Sequence, residues 1–168
     1  MEEALAEDNP FSPLQAARDR VRKLRLQALR GAGGRRFRQE VRGAYNETCL
    51  FTGVYLPVTE LTSSAGVDAA HILPWAQFDL NDPRNGICLS KLCHWAFDEG
   101  ILKLTHDSAS GGYQLSIPDG VKSLQQQGAI DLSPFEPLEG WIPTQNLPSN
   151  SALWPDPGYL KQFNDTFR

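Results

Sequence analysis

Four polar residues with the side chains needed for acid–base or metal chemistry lie close together in the chain. His71 and Asn85 are separated by 13 residues, Asn85 and His94 by 8, and Asp98 follows His94 by four positions. A histidine and a carboxylate four residues apart lie on one face of a helix, where they make half of a divalent metal site. A second histidine can take a proton from water, because its side chain titrates near neutral pH. An asparagine beside it can fix the orientation of the imidazole through a hydrogen bond.

Each of these residues also has an ordinary structural explanation. A histidine at the end of a strand, such as His71, is more often a core or surface residue than a base. Asn85 and Gly86 form a dipeptide that is typical of turns, and a pair such as His94 and Asp98 is usually a surface contact. Taken singly, the residues do not establish a catalytic site, and only their combination can.

The pattern of apolar residues predicts the elements that position these side chains. Residues 67–73 are predicted to form a buried strand that ends before Pro74, and residues 87–89 a second, short strand. Ser90 is a good N-cap for a helix over residues 91–99. The predicted base therefore ends the first strand, the asparagine lies in the loop between the strands, and the predicted metal-binding pair lies on the helix.

Two further helices are predicted upstream of this region. Apolar residues at intervals of three and four predict a helix over residues 13–30, which the glycines of residues 31–34 end, and a second helix over residues 35–45. The spacing in the first helix is equally compatible with the seam of a homodimer and with packing on its own domain.

The chain downstream is predicted to complete the core. Residues 101–104 and 113–117 flank a serine- and glycine-rich turn, which predicts a hairpin. The stretch from residue 133 onward is rich in proline and tryptophan and is expected to wrap the core irregularly. Asp156 and Pro157 are typical of a helix start, so a last helix is predicted to run to Phe167.

The net charge of −4 conceals an uneven distribution of charge. Residues 15–45 contain ten basic residues and two acidic ones, whereas residues 46–168 contain six basic and fourteen acidic ones. Nine of the ten are arginines, whose planar guanidinium suits phosphate. A solvated helix face is the commoner outcome for a charged run, but this density favours contacts with a nucleic-acid backbone. The residues predicted to make them are Arg18, Arg22, Arg25, Arg35, Arg36, Arg38 and Arg42.

Length and composition limit the class of protein. A chain of 168 residues, 40% of them hydrophobic, suits one domain, or one domain with an arm. No apolar run approaches the ~20 residues of a membrane span, and the N-terminus lacks the pattern of a signal peptide. The three cysteines (Cys49, Cys88 and Cys93) cannot all pair and form no C-x-x-C motif, so we expect small buried side chains in a cytoplasmic protein.

The combination of these residues resembles the HNH endonuclease family. The resemblance is carried by Ala69-Ala70-His71-Ile72-x-Pro74, Asn85-Gly86-Ile87-x-Leu89 and His94-x-x-Phe97-Asp98-x-Gly100. It is strongest to the branch with the Ala-Ala-His-Ile motif, whose usual lead-in also matches residues 37–53. On this basis residues 1–34 are assigned to an acidic lead and basic helical arm, and residues 35–168 to a nuclease domain with its core motif at 67–100.

The resemblance implies an α+β fold with a ββα-metal core, in which two strands and a helix hold one divalent cation against a scissile phosphate. It implies that His71 is the general base, that Asn85 orients the loop or His71, and that His94 and Asp98 are metal ligands. The implied activity is metal-dependent hydrolysis of DNA, with restriction or defence as the expected setting. A site of histidine and carboxylate suits Mg²⁺ or Mn²⁺, and no structural zinc is expected without a C-x-x-C pair.

One position departs from the family pattern. Many members have an aspartate or a histidine directly before the base as a metal ligand, whereas this chain has Ala70. Asp68 lies two residues earlier, on the same face of the strand as Ala70 and opposite to His71. It either replaces the missing ligand or supports His94 or an arginine. The alternative to an enzyme is therefore a DNA-binding or interaction module that kept the fold and lost its activity.

Overall fold

The computed structural model of the chain describes residues 19–20, 23, 31–73 and 81–167. Its helices are α1 (Gly31–Ala44), α2 (Lys91–Asp98), α3 (Asp119–Gln126) and α4 (Pro157–Phe167). Its strands are β1 (Val67–His71), β2 (Gly86–Ser90), β3 (Lys103–His106), β4 (Tyr113–Ser116) and β5 (Gly140–Trp141). β1 and β2 form one antiparallel sheet, and β3, β4 and β5 form a second. The architecture is the predicted α+β one, and β1, β2 and α2 are compatible with an HNH ββα core.

The β1–β2 pair is held in a single register. His71 pairs with Gly86, and Asp68 pairs with Leu89. Strand β1 ends at His71, two residues earlier than predicted. The N–H of Ile72 still donates to the carbonyl of Asn85 at 2.9 Å, but both backbone groups of Leu73 bond the side chain of Asn85 and not a strand backbone. The backbone pairing therefore ends within two residues of the predicted base.

Helix α2 begins where the sequence predicts. The Oγ atom of Ser90 accepts a hydrogen bond from the backbone N–H of Cys93 at 3.3 Å, which satisfies one of the unpaired donors of the first turn. The helix ends at Asp98, one residue before the predicted end. Cys93, Ala96 and Phe97 form its buried face, so its opposite side carries the polar residues.

The break that was predicted at residues 31–34 is wrong, because all four residues are helical in α1. Each glycine costs about 1 kcal/mol in a helix relative to alanine, but tertiary packing overrides this cost. A Cβ atom added to Gly33 would lie 2.7 Å from the side-chain nitrogen of Asn81, so this residue must be small. Helix α1 therefore continues across residue 34, where the sequence suggested the start of the nuclease domain.

The predicted helix over residues 13–30 lies largely outside the described residues. Asp19, Arg20 and Lys23 are described and are helical. The apolar positions of the predicted dimer seam fall outside the described part of the chain, so the homodimer stays a prediction from the sequence.

The β1–β2 pair lies between α1 and α2. Phe37 and Val41 of α1 approach Gly86 so closely that no side chain fits there, whereas His94 of α2 contacts Asp68. Gly86 and His71 are direct partners, and alternation along a strand directs the side chain of Asp68 to the other face. Helix α1 therefore covers the face of His71, and α2 covers the face of Asp68.

The C-terminal third completes the core as predicted. β3 and β4 form the predicted hairpin, and the irregular stretch after residue 133 buries Phe135, Ile142 and Leu147. The carboxylate of Asp156 accepts hydrogen bonds from the first turn of α4, which confirms the predicted helix start. Helix α3 was not predicted. Among the described residues, no helix has the length and apolar character that crossing a membrane requires.

Candidate active site

The imidazole of His94 lies between two carboxylates. Its Nδ1 atom is 3.2 Å from Oδ2 of Asp68, and its Nε2 atom is 3.4 Å from Oδ2 of Asp98. Asp98 lies one turn further along α2, and Asp68 comes from β1. The structure therefore brings together all three residues that the sequence predicted as metal ligands.

The charge of Asp68 determines how the ring nitrogens of His94 are used. The hydrogen bond with His94, supported by Lys91 and opposed by partial burial, lowers the pKa of Asp68 to about 2. Asp68 is therefore ionised at neutral pH and accepts a hydrogen bond from Nδ1. When the only ring proton of His94 is on Nδ1, the lone pair of Nε2 is directed at Oδ2 of Asp98. In that state a cation placed between Nε2 and Oδ2, which are 3.4 Å apart, would be attracted by both atoms.

The donor set fits a divalent metal ion that two protein ligands and the substrate would share. Ligands at right angles on a Mg²⁺-sized ion are about 3 Å apart, which is close to the 3.4 Å between Nε2 of His94 and Oδ2 of Asp98. Within the described ranges, no group of three histidine, cysteine or acidic side chains is arranged to enclose a metal. Mg²⁺ sites commonly use one or two carboxylates and complete their shell with water and phosphate oxygens.

Asp68 is placed to support His94 on the side away from Asp98. Carboxylates in this position fix the tautomer and the orientation of a metal-binding histidine. Ala70, at the position where the resemblance implies a ligand, is fully buried in the core. Of the two roles weighed from the sequence, the geometry favours support of His94 over direct ligation for Asp68.

His71 lies on the opposite face of the sheet. Its imidazole is stacked on the ring of Phe37, with 3.9 Å between ring centroids and 8° between ring planes. The residue is only 1% exposed. The predicted base is therefore covered by α1, and the edge of its ring must become accessible before it can reach a water molecule.

Asn85 binds the backbone that follows His71. Its Oδ1 atom accepts from the N–H of Leu73 at 2.8 Å, and its Nδ2 atom donates to the carbonyl of Leu73 at 2.9 Å. The residue is fully buried. Of the two roles that the resemblance implied, these bonds correspond to orienting the loop.

The predicted DNA-binding arginines divide into three groups. Arg18, Arg22 and Arg25 lie outside the described residues. In α1, Arg36 is paired with Glu40 at 2.7 Å, and Arg42 makes two hydrogen bonds to Glu47, at 2.8 and 2.9 Å. Arg35 is exposed and Arg38 is half-buried. A guanidinium that already donates to a carboxylate is less available to a phosphate. The structure therefore favours Arg35 over Arg42 as a DNA contact.

The sequence did not single out two residues that contact the site. Lys91, the first residue of α2, lies 3.0 Å from Asp68, and Phe37 covers His71. Phe37 was identified only as part of an apolar helix face and of the segment that resembles the family's usual lead-in. Neither contact has a local signal, because 23 and 34 positions of the chain separate the partners.

Comparison with known protein families supports the interpretation of this site. Residues 49–104 match the family model described as HNH endonuclease, which is about a third of the chain. No curated protein matches the sequence. His71, Asn85 and His94, on which the resemblance was based, all lie inside the matched segment, as do both aspartates. Residues 49–104 are therefore similar to the HNH endonuclease family.

Proposed function

We propose that this protein is a metal-dependent endonuclease that hydrolyses phosphodiester bonds of DNA. The observation that carries the proposal is the placement of His94 between Asp68 and Asp98, within the segment that matches the HNH family. A role in restriction or defence stays a prediction from the sequence.

The proposed roles follow from the contacts of each side chain. His94 and Asp98 would hold one divalent cation, Mg²⁺ or Mn²⁺, which would stabilise the negative charge that develops on the phosphate. Asp68 holds Nδ1 of His94 and so directs Nε2 toward Asp98. His71 takes the proton of the attacking water. Asn85 fixes the backbone immediately after His71.

Cleavage of supercoiled plasmid with Mg²⁺, Mn²⁺ or EDTA tests the proposal. Cleavage is expected with a metal and not with EDTA, and His71→Ala should lower the rate about 10²- to 10⁴-fold. His106→Ala is the matched control, because His106 packs on Tyr113 in the second sheet, away from this site. A His71→Ala variant that cuts like the wild type would contradict the assignment of the base.

Calorimetric titration with Mn²⁺ separates the ligands from the base. His94→Ala and Asp98→Ala should each weaken Mn²⁺ binding, whereas His71→Ala should not. Asp68→Asn should weaken it less, because an amide oxygen still accepts a hydrogen bond from Nδ1. If Asp98→Ala leaves the affinity unchanged, Asp98 is only a helix-surface residue and Asp68 becomes the next ligand to test.

A DNA-binding module without activity is the second candidate function. Two observations favour it: the missing ligand at Ala70, and the burial of His71 under Phe37. Such a module would bind the plasmid and retard it on a gel but would leave it uncut with either metal.

A further inference from the structure

We infer that Phe37 is a positioning residue for the general base, an inference that rests on the proposed role of His71. The two rings are stacked almost parallel, 3.9 Å apart and 8° out of parallel. Both side chains are removed from solvent, with Phe37 0% and His71 1% exposed. Phe37 contacts the flat face of the imidazole, whereas the nitrogen lone pairs of His71 point along the ring plane. Its effect is therefore on the plane in which the imidazole lies.

The stack is built by three elements. Phe37 comes from α1, His71 from the end of β1, and Gly86 from β2, where it is the direct partner of His71. A Cβ atom on Gly86 would lie 2.7 Å from Cζ of Phe37 and 2.5 Å from Cγ2 of Val41. Only glycine leaves room for the phenyl ring against this strand pair. This close approach of α1 to the sheet places the aromatic face of Phe37 on the imidazole of His71.

A flat contact of this kind fixes the property that a general base needs. The second side-chain torsion of histidine is soft and has broad minima, so strand geometry alone does not set the direction of the ring nitrogens. Stacking on a buried ring confines the imidazole to one plane, and both nitrogen lone-pair directions lie in that plane. Asn85 fixes the backbone on the other side of His71. Backbone and ring plane are therefore held by separate residues.

The rate of proton transfer should depend on the orientation of the imidazole plane of His71. A displacement of about 1 Å at a catalytic group can cost roughly 100-fold in rate. DNA binding does not involve the stacked faces, because both are covered by protein. Loss of the phenyl ring should therefore lower kcat and leave KM for DNA unchanged.

The test compares Phe37→Leu with Val41→Ala in the full-length protein. Leucine keeps an apolar side chain but has no flat face, whereas Val41→Ala weakens the same contact of α1 with Gly86 and leaves the stack intact. Phe37→Leu should lower kcat for plasmid cleavage about 10- to 100-fold with KM unchanged, and Val41→Ala should do neither. Phe37→Met serves the same purpose if circular dichroism shows that the leucine variant is unfolded.

Proton NMR of the histidine rings provides a readout that needs no activity. The chain has three histidines, so His71→Ala identifies the signals of His71. Stacking shields the ring protons, so the signals of His71 should move downfield in Phe37→Leu and stay in place in Val41→Ala. Those of His106, which packs on Tyr113, should not move in either variant.

Three results would overturn the inference. The first is a Phe37→Leu variant that cuts as fast as the wild type, or faster, while the signals of His71 move. The second is unchanged signals of His71 in that variant, which would mean that the rings are not stacked. The third is a wild-type protein that never cuts DNA. That last result contradicts the proposed function itself, whereas the first two contradict the role of Phe37 alone.

Discussion

Asn85 illustrates how a residue of the proposed catalytic site also contributes to stability. It is fully buried, and its side-chain amide forms hydrogen bonds with both polar backbone groups of Leu73. Its own backbone carbonyl accepts from Ile72. The turn that carries the chain away from His71 therefore depends on this one side chain.

Replacing Asn85 with alanine should destabilise the protein by about 2–4 kcal/mol. The reason is that two buried backbone groups lose their partners, each at a cost of about 1–3 kcal/mol. Urea denaturation gives the free energy of unfolding. Asn85→Asp keeps the acceptor for the N–H of Leu73 but places a carboxylate oxygen next to the carbonyl oxygen of Leu73. This variant should therefore also be less stable than the wild type.

Asn150→Ala is the matched control for this prediction. Asn150 accepts one hydrogen bond from Ala152 at an exposed turn, and loss of such a cap typically costs about 1 kcal/mol. If Asn85→Ala costs no more than Asn150→Ala, the two bonds to Leu73 do not hold the turn.

Spacing alone predicts contacts between residues close in sequence, whereas the contact of His71 with Phe37 had no signal in the sequence. The spacing of His94 and Asp98 on one helix face predicts their contact, and the structure confirms it at 3.4 Å. The stack of His71 on Phe37 depends on how α1 docks on the sheet. No local pattern encodes that docking, because many apolar helix faces would pack equally well by spacing alone.

For whole helices, the starts could be predicted from nearby residues, whereas the packing of a helix on the rest of the protein could not. Ser90 and Asp156 mark the starts of α2 and α4 through side-chain hydrogen bonds to nearby N–H groups, which are local signals. The glycines at the start of α1 have the opposite local preference. They are nevertheless helical, and Gly33 lies close to Asn81, which is distant in the chain.

Gly86→Ala should destabilise the protein by about 1–3 kcal/mol, because the new methyl group would overlap Val41 and Phe37 and force α1 away from the sheet. Gly120→Ala is the control. Gly120 lies in α3 with no atom within 4 Å of an added Cβ, so alanine should be neutral or stabilising by up to about 1 kcal/mol. Thermal unfolding of both variants measures the difference, and equal melting temperatures would contradict the close packing at Gly86.

Glu139 links the second sheet to α3 and should make stability depend on pH. Its Oε1 atom accepts from the N–H of Ile117 at 2.8 Å and lies 3.0 Å from Nζ of Lys122. The hydrogen bond from Ile117, supported by Lys122, lowers the pKa of Glu139 below its ordinary value of 4.5. The folded protein therefore holds this proton less tightly than the unfolded chain does.

The stabilisation by Glu139 should thus be fully present above pH 4.5 and disappear as the pH falls through the folded-state pKa. Urea midpoints of the wild type and Glu139→Gln, measured between neutral pH and acid, should differ at neutral pH and converge in acid. Glu136→Gln, at an exposed position nearby, is the control and should follow the wild type throughout. If the difference in urea midpoint between the wild type and Glu139→Gln is the same at every pH, the ionised carboxylate does not contribute to stability.

Over the whole molecule, folding changes how much of the basic charge is available to DNA. Residues 31–47 contain four arginines and two glutamates. Both glutamates are paired with arginines, Glu40 with Arg36 and Glu47 with Arg42. The Arg36 pair is highly exposed, with the arginine side chain 80% accessible, whereas the Arg42 pair is partly buried and doubly bonded. A count of charges from the sequence cannot distinguish these cases.

The salt dependence of DNA binding should distinguish Arg35 from Arg42. Each phosphate contact contributes about −0.9 to the slope of log affinity against log salt on duplex DNA. Arg35→Gln should therefore flatten the slope by about 0.9. Arg42→Gln removes the same formal charge from the same helix but should change the slope much less, since Glu47 already occupies its guanidinium. Fluorescence anisotropy of a labelled duplex in EDTA measures binding without cleavage.

The comparison works because glutamine keeps the helix propensity of arginine, so α1 should persist in both variants. Equal flattening in both variants would mean that DNA responds to the general field of the helix and not to contacts of single arginines. An unchanged slope in both would mean that α1 makes no phosphate contact. The predicted contacts would then have to come from Arg18, Arg22 and Arg25, and replacing those three with glutamine should flatten the slope by up to about 2.7.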